Sequence, residues 1–138
     1  MCVMVQMGWL LLPIKKLELP GGWFHKGDIK QYRSLVEQVP DNGKVIELGV
    51  WKGRSLCSIA DIIIKKKLTV YAVDTFKGSP TEVKEHKEAK EINLKKVFLD
   101  NIKKFKLKVK TYEMTTNEAA EQINEKFDLI FIDADHTE

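Results

Sequence analysis

The sequence predicts an α/β fold built on a doubly wound parallel sheet. Short apolar segments of strand length alternate with segments of helical periodicity, and the strand segments are apolar enough to be covered on both faces. Acidic residues lie at the ends of three of these strands. Such alternation is typical of parallel sheets packed between helices, whose ligands bind beyond the carboxyl ends of the strands.

The first helix and the first strand are predicted between residues 28 and 48. Asp28 is expected to cap the helix, and residues 40–43, which are Pro, Asp, Asn and Gly, are expected to end it. "KVIEL", residues 44–48, then forms a short buried strand. The apolar positions that keep helical spacing are Ile29, Tyr32, Leu35, Val36 and Val39.

Three further strands alternate with helices in the rest of the chain. A helix follows Gly53 and ends at the lysines of residues 65–67, where cations favour the negative end of the helix dipole. Its apolar positions are Leu56, Ile59, Ala60 and Ile63. The later strands are predicted at residues 68–74, 107–112 and 128–133, with helices near residues 91–105 and 117–124 between them.

Length, charge and cysteine content restrict the class of protein. The 138 residues make one domain, with residues 1–22 as an extension or loop and residues 23–138 as the folded part. The 23 basic and 20 acidic residues are interleaved, which disfavours a nucleic-acid partner. Residues 1–14 are apolar but shorter than the ~20 residues of a membrane span, and they lack a signal-peptide pattern. Cys2 and Cys57 suit reduced thiols, so we expect a soluble, cytoplasmic protein without a membrane partner.

The turn after the first strand carries the first candidate binding residues. In "KVIELGVWKGRS", residues 44–55, Gly49 permits a tight turn and a close backbone approach to a ligand. Gly53 opens a helix whose free N–H groups attract an anion. Glu47 places a carboxylate in a buried strand, which is costly without a hydrogen-bonding or cationic partner. The alternative is a polar strand end followed by an ordinary turn.

Asp74 ends the second strand and is the second candidate. An acid about twenty residues beyond a glycine loop can accept hydrogen bonds from both ribose hydroxyls of a nucleoside. By itself Asp74 fits a helix cap equally well. The full G-x-G-x-x-G pattern of dinucleotide-binding proteins is absent, because residues 50–52, which are Val, Trp and Lys, separate the two glycines. This counts against an NAD-dependent oxidoreductase, which remains an alternative enzyme class.

Three segments resemble class I S-adenosylmethionine-dependent methyltransferases, which have a Rossmann-like fold. They are "VIELGVWKGRS", "VYAVDTFKGSP" and "FDLIFIDADHTE", and they look closest to small-molecule and sugar O-methyltransferases and cephalosporin-hydroxylase-like proteins. The resemblance covers roughly residues 20–138 and implies S-adenosylmethionine as cofactor. The binding residues that it implies are Glu47, Gly49 and Gly53 for the methionine portion, Asp74 for the ribose, Met114 and Thr115 for the adenine, and, around the same cleft, Trp51, Ser55, Thr75 and Asp133. Trp51 either shields the ligand or covers a neighbouring helix.

The last strand motif supplies candidate catalytic groups. Methyl transfer from a sulfonium to an oxygen depends mainly on positioning, and a general base or a divalent cation helps when the acceptor is a hydroxyl. "IDADH" places Asp133, Asp135 and His136 at the expected mouth of the cleft. We expect Asp133 and His136 to be catalytic, although His136 fits a solvated terminal histidine at least as well. The resemblance also makes Asp133 a ligand of Mg²⁺, an ion that prefers carboxylate oxygens.

The sequence departs from the resemblance after its fourth strand. Class I methyltransferases continue through three further strands, whereas this sequence stops at Glu138. The expectation is therefore a C-terminally truncated form with strands one to four of the usual seven and an exposed edge at the fourth strand. A third function class follows, beside a methyltransferase and an NAD-dependent oxidoreductase: a protein that binds the cofactor without turnover. The expected methyl acceptor is a hydroxyl of a small molecule or sugar, and a homo-oligomer stays open.

Two further features have more than one interpretation. Trp23, Phe24 and His25 are either a lid over the substrate or plain packing beside the first helix. The lysine-rich stretch of residues 84–110 contains acids at helical spacing, which favours a solvated helix face over a surface for an anionic partner.

Overall fold

The computed structural model describes residues 4–7, 10–13, 17–79 and 81–133 of the chain. Near the N-terminus, β1 (Met4–Met7) pairs antiparallel with β2 (Leu10–Pro13), a pairing that the sequence does not predict. The strands of the main sheet are β3 (Lys44–Leu48), β4 (Thr69–Asp74), β5 (Val109–Glu113) and β6 (Leu129–Ile132). The helices are α1 (Lys26–Glu37), α2 (Arg54–Ser58), α3 (Ala60–Lys66), α4 (Val83–Glu91), α5 (Leu94–Lys104) and α6 (Thr116–Gln122).

The main sheet is parallel and has the strand order β5-β4-β3-β6. The first strand of the sheet along the chain is therefore central, and its neighbours are the second and the fourth, as a doubly wound α/β fold requires. Leu48 is in register with Val73 of β4 and Ile132 of β6, so these three strands end side by side. This confirms the predicted fold class and places the residues that follow the strands at one edge of the sheet.

The two faces of the sheet are covered unequally. One face packs against α1, α2, α3 and α5 through a large apolar cluster that includes Val45, Val70 and Phe98. The other face packs mainly against α6, where Ile46, Tyr71, Val73 and Ala119 form a smaller cluster. At the edge strand β6, Ile130 and Ile132 are each 56% exposed on this second face. The expected exposed edge is thus present among the described residues, and it is apolar.

The first helix differs from the prediction at its start. It begins at Lys26 and His25 is its N-cap, whereas Asp28 lies inside the first turn. The Asp28 carboxylate accepts a hydrogen bond from the His25 backbone N–H at 3.0 Å, which is the contact that an acid at the third helical position makes in a capping box. The prediction of Asp28 as the cap was therefore wrong by about one turn, because the acid lies at the third helical position and accepts from the N–H of the N-cap residue His25.

The second predicted helix is two helices. Ile59 has φ −113° and ψ 12°, which ends α2 and starts α3. The two parts keep one apolar face, so the spacing of Leu56 and Ile63 alone gives no sign of the break. Helix α4 is absent from the prediction for a related reason: Ala89 is its one buried residue, so it shows almost no apolar periodicity.

An ion pair fixes α1 against the following helical layer. The Arg33 guanidinium donates to both carboxylate oxygens of Asp61, at 2.6 and 2.7 Å, and to the Ser58 carbonyl oxygen at 2.7 Å. Hydrogen bonding to Arg33 lowers the pKa of the Asp61 carboxyl below its ordinary value. A two-pronged arginine–carboxylate contact is directional, so it sets the position of α1 relative to α2 and α3.

Two other expectations concern solvent and membrane exposure. Cys57 is a buried free thiol, and burial raises its pKa to about 12, which agrees with a packing role rather than a chemical one. No helix in the described part of the chain has the length and apolar composition that a bilayer crossing requires.

Gly53 is predicted to be required for stability. Its φ of +89° is unfavourable for other residues, and a Cβ atom there would lie 3.1 Å from the Phe98 ring. Gly53→Ala should lower the free energy of unfolding by about 2 to 4 kcal/mol through backbone strain and overpacking, as measured by urea denaturation followed by circular dichroism. Gly27→Ala, where a Cβ meets nothing within 4 Å, is the control and should be neutral or stabilising by up to about 1 kcal/mol. Equal effects of the two substitutions would contradict this account.

Candidate functional site

A cavity of about 860 Å³ lies at the carboxyl ends of the four parallel strands. Gly49 follows β3, Asp74 ends β4, Thr115 follows β5 and Asp133 follows β6, and all four residues line it. The cavity therefore occupies the position at which doubly wound sheets bind their ligands, where the strand order reverses beside β3. The sequence predicts this location from the alternation of elements alone.

Asp74 organises the loop that forms one wall of the cavity. Its Oδ2 accepts hydrogen bonds from the backbone N–H groups of Val50 and Trp51, at 2.9 and 3.0 Å. Its Oδ1 accepts one from the Phe76 N–H at 2.8 Å. A carboxylate has about four acceptor positions, so these three bonds leave capacity at Oδ1 for a hydroxyl of a ligand. Asp74 is consequently a structural anchor for the loop as well as a candidate ligand-binding residue.

The loop itself holds an unfavourable backbone conformation. Gly49 has φ +87°, and Trp51, a bulky residue, has φ +47°. Left-handed conformations of such residues cost of order 1 kcal/mol or more and persist where the surroundings determine them. Here the hydrogen bond from Trp51 to Asp74 supplies that constraint. As a result the Trp51 ring lies in the cavity wall, 5.8 Å from the Trp23 ring between centroids.

Glu47 lies beneath the cavity, not in its wall. Its side chain has no exposed surface, and its carboxyl group accepts a hydrogen bond from the Tyr32 hydroxyl at 3.1 Å and contacts the Ser55 hydroxyl closely. Burial is the main reason that the pKa of Glu47 rises to about 8. The carboxyl group is therefore mostly protonated at neutral pH. The buried acid has the hydrogen-bonding partners that the sequence analysis required, and they come from α1 and α2.

The segment before α1 covers one side of the cavity. Arg54 donates from Nε to the Phe24 carbonyl oxygen at 2.7 Å and from Nη1 to the Pro20 carbonyl oxygen at 2.9 Å. These bonds hold residues 20–24 against α2. Phe24 is buried against the rings of Tyr32 and Phe131, whereas Trp23 is 46% exposed and lines the cavity. Phe24 therefore packs beside the first helix, whereas Trp23 borders the cavity, and its role as a lid over a substrate stays a prediction.

The structure brings together most of the sequence-predicted site residues. Those that line the cavity are Gly49, Trp51, Ser55, Asp74, Thr75, Thr115 and Asp133. Glu47 lies below it, Gly53 packs against Phe98, and Met114 packs in the smaller apolar cluster. Asp135 and His136 lie outside the described residues. The roles of all these residues in binding and catalysis stay predictions.

Sequence reasoning missed the wall that lies towards α4. Lys77, Glu82, Glu85 and His86 line the cavity from the turn after β4 and from α4 itself, and Arg54 lines it from α2. A polar residue on a polar helix carries no signal in the sequence, and α4 itself was missing from the prediction. Arg54 follows the glycine loop directly, and its position there is the one cue that could have identified it.

The ionisable side chains of the cavity wall are mainly acidic. The acids are Asp74, Glu82, Glu85 and Asp133. The permanently charged bases are Arg54 and Lys77, and His86 is the histidine of the wall. Both described hydrogen bonds of Arg54 go to backbone carbonyls, so its charge is not neutralised by a carboxylate in those contacts. The wall therefore suits a ligand that carries positive charge and also has one carboxylate, which Arg54 can bind.

The predicted Mg²⁺ site is not supported by the described residues. Within residues 17–79 and 81–133, no three side chains of His, Cys, Asp or Glu come together in a way that could hold a metal ion. Asp133, the predicted ligand, lies at the cavity, and the nearby Asp135 and His136 are outside the described part of the chain. The metal stays a prediction from the sequence.

Comparisons with known proteins identify a family and a fold. A family model described as "Methyltransferase domain" matches residues 46–138. The protein PH0851 is 20% identical with a TM-score of 0.54, over 78% of this chain and 21% of that one. The putative transferase PH0793 from Pyrococcus horikoshii is 15% identical with a TM-score of 0.51, over 78% of this chain and 34% of that one. At these identities the two structures show a shared fold, and the chain spans about a fifth and a third of their lengths. No curated protein matches the chain closely enough to count as a relative.

The buried Glu47 carboxyl group should make stability depend on pH in a defined direction. Because its pKa is about 8 in the folded chain against an ordinary 4.5, its contribution is complete below about pH 4.5 and is lost as the pH rises to about 8. Each pKa unit corresponds to about 1.36 kcal/mol, so between pH 5 and 8 the wild type should lose several kcal/mol relative to Glu47→Gln.

The measurement is urea denaturation of both proteins across that pH range. Glu125→Gln is the control, because contact with Lys44 lowers the pKa of the exposed Glu125 and its contribution changes only at more acidic pH. The control should therefore follow the wild type from pH 5 to 8. Parallel curves for wild type and Glu47→Gln would show that Glu47 is ionised in the folded chain.

Proposed function

Because the chain belongs to the methyltransferase-domain family, we propose that it binds S-adenosylmethionine in the large cavity and transfers the methyl group to a hydroxyl of a small molecule. The proposal rests on the chemistry of the cavity at the carboxyl ends of the strands. The chain spans only 21% and 34% of the two longer proteins with the same fold. Methyl transfer by this chain is therefore proposed along with cofactor binding.

The observation that carries the proposal is the use of the loop N–H groups by Asp74. In dinucleotide-binding folds, the backbone N–H groups after the first strand and the following helix N-terminus bind a pyrophosphate. Here the N–H groups of Val50 and Trp51 donate to the Asp74 carboxylate instead. A second anion at the same N–H groups would meet that carboxylate at close range. The loop therefore favours a nucleoside without phosphate groups, such as S-adenosylmethionine, over NAD.

The charge of the wall supports the same ligand. S-adenosylmethionine carries a sulfonium and an ammonium group, and the wall places four acids against two permanent bases. The ligand also has one carboxylate, and Arg54 is the base next to Ser55 in the part of the wall that α2 contributes. A dinucleotide would instead bring two phosphate charges to an acidic surface.

Each part of the cofactor has a residue suited to it. The remaining acceptor capacity of Asp74 Oδ1 suits a ribose hydroxyl, because a hydrogen bond to an ionised acceptor is stronger than one between neutral groups. Thr115 is also the cap of α6, where its side chain accepts a hydrogen bond from the Glu118 N–H at 3.2 Å. Thr115 would therefore contact the adenine from a fixed position.

The residues of the chain contribute mainly by positioning. S-adenosylmethionine supplies an activated methyl group, and the rate depends on holding the acceptor oxygen in line with it, an effect worth ~7 to 11 kcal/mol. Trp23 and Trp51 line one side of the cavity with their ring centroids 5.8 Å apart, so bound cofactor would have an apolar surface there instead of water. Asp133 is the candidate base for the hydroxyl proton, and Mg²⁺ remains a separate prediction for the same carboxylate.

The first test is calorimetric titration of the purified chain with S-adenosylmethionine and, separately, with NAD. We expect saturable binding of S-adenosylmethionine alone, weakened at least about tenfold in Asp74→Ala through loss of a charge-assisted hydrogen bond and of the loop anchor. Asp100→Ala removes an exposed carboxylate that pairs with Lys96, away from the cavity, and should leave the affinity unchanged.

A second ligand separates the two roles of Asp74. An S-adenosylhomocysteine analogue without the 2′- and 3′-hydroxyls should bind the wild type about tenfold more weakly than S-adenosylhomocysteine does. In Asp74→Ala, removal of the hydroxyls should have little further effect, because the interaction is already lost. NAD binding, or no cofactor binding by a chain that circular dichroism shows to be folded, would overturn the proposal.

A further inference from the structure

A second, smaller cavity of about 370 Å³ lies between α1 and β6. Trp23, Phe24 and Asp133 line both this cavity and the large one, so the two spaces adjoin. The smaller cavity is therefore next to the proposed cofactor site on the side of Asp133. None of the residues predicted from the sequence to bind the cofactor lines it, apart from Asp133.

The wall of the smaller cavity is mainly aromatic. Trp23, Phe24, Tyr32 and Phe131 contribute rings, and the Tyr32 and Phe131 rings are 4.3 Å apart between centroids and tilted by 31°. Phe24 meets Tyr32 and Phe131 edge-on. Tyr32 and Phe24 are 1% and 9% exposed, so these ring contacts fix the wall from behind, and the accessible apolar surface is that of Trp23, Leu35 and Phe131. A flat apolar ring packs against such a surface.

The polar groups of the same wall are few and carry negative charge. Asp28 and Asp133 are its carboxylates, Gln31 is its one amide, and no Lys, Arg or His side chain is among its lining residues. Asp28 Oδ2 accepts a hydrogen bond from the His25 N–H within the capping box, which fixes the carboxylate at this position of α1. Anionic ligands would be repelled here, whereas hydroxyl and ammonium groups find acceptors.

We propose that the smaller cavity binds the methyl acceptor and that the acceptor is a compact phenol without negative charge. This inference rests on the proposed methyl transfer and names its substrate class. A sugar is disfavoured because its several hydroxyls would lie against the apolar side chains of Trp23, Leu35 and Phe131, whereas a phenol brings a single hydroxyl to the carboxylates. A nucleic-acid acceptor is disfavoured by the two carboxylates.

The proposed step balances as a displacement at carbon. The phenol oxygen attacks the methyl carbon, the new C–O bond forms as the C–S bond breaks, and the bonding electrons of the C–S bond stay on sulfur. The sulfonium becomes the neutral thioether of S-adenosylhomocysteine, and the hydroxyl proton is released to water at the exposed side of the cavity, next to Asp133. The products are an aryl methyl ether, S-adenosylhomocysteine and one proton.

The test measures binding of three phenols and one sugar to the full chain saturated with S-adenosylhomocysteine. The probes are p-cresol, which is neutral, tyramine, which is cationic, 4-hydroxybenzoate, which is anionic, and methyl glucoside. We expect p-cresol and tyramine to bind at least about tenfold more tightly than 4-hydroxybenzoate, and methyl glucoside to bind no better than 4-hydroxybenzoate.

Gln31→Lys tests the location of the site. It adds a positive charge to the wall without disturbing the capping box, so the affinity for 4-hydroxybenzoate should rise about tenfold and that for tyramine should fall by a similar factor, with p-cresol changed less than about twofold. Ser34→Lys is the matched control, because it adds the same charge to an exposed position of α1 that does not line the cavity. The control should leave all three affinities unchanged.

The outcomes distinguish the two proposals. If S-adenosylhomocysteine does not bind, the proposed function fails before the acceptor is tested. If it binds and the anion or the sugar is preferred, or if Gln31→Lys and Ser34→Lys act alike, the assignment of this cavity to a phenol is overturned while the proposed function stands.

Discussion

The hydrogen bonds of the buried Glu47 carboxyl group are the constraint on which the rest of the structure depends. Tyr32 reaches it from α1 and Ser55 from α2, so one group joins the central strand to two helices. A buried carboxylate without these partners would cost several kcal/mol. Burial raises the pKa of this carboxyl group to about 8, and the hydrogen bonds from Ser55 and Tyr32 limit the rise. The helix that carries Asp28 and Gln31 to the smaller cavity is therefore held by an interaction beneath the larger one.

A second carboxylate, that of Asp74, performs the corresponding task at the surface of the sheet. It remains partly accessible and holds the N–H groups of Val50 and Trp51, which keeps a bulky residue in a left-handed conformation. The loop thereby presents an indole ring where a dinucleotide fold presents a phosphate site. Both cavities consequently offer acids and aromatic rings, a combination that suits positively charged or uncharged ligands and excludes polyanions.

Much of the fold and part of the site could be predicted from the sequence. The strands of the sheet are short apolar runs that end in acids, and this pattern is enough to place Gly49, Asp74 and Asp133 at one cavity. Glu47 was assigned to ligand contact because a sequence cannot show that the Tyr32 hydroxyl, fifteen positions earlier on α1, would hydrogen-bond to its carboxyl group. The break at Ile59 leaves the apolar periodicity of the two helices intact, and the polar helix α4 has almost no apolar periodicity. The pattern of apolar residues could therefore detect neither feature. Residues that depend on those elements, such as Glu85 and His86, were missed with them.

The contact between Trp23 and Trp51 also gives the protein a built-in optical reporter. These are two of the three tryptophans in the chain, and their rings meet at the wall of the larger cavity, 5.8 Å apart. Trp23 faces the smaller cavity as well, so its indole borders both spaces. Indole emission responds to the polarity of its surroundings, and a ligand that displaces water from either space would change it. Occupancy can therefore be followed in the unlabelled chain by its own fluorescence.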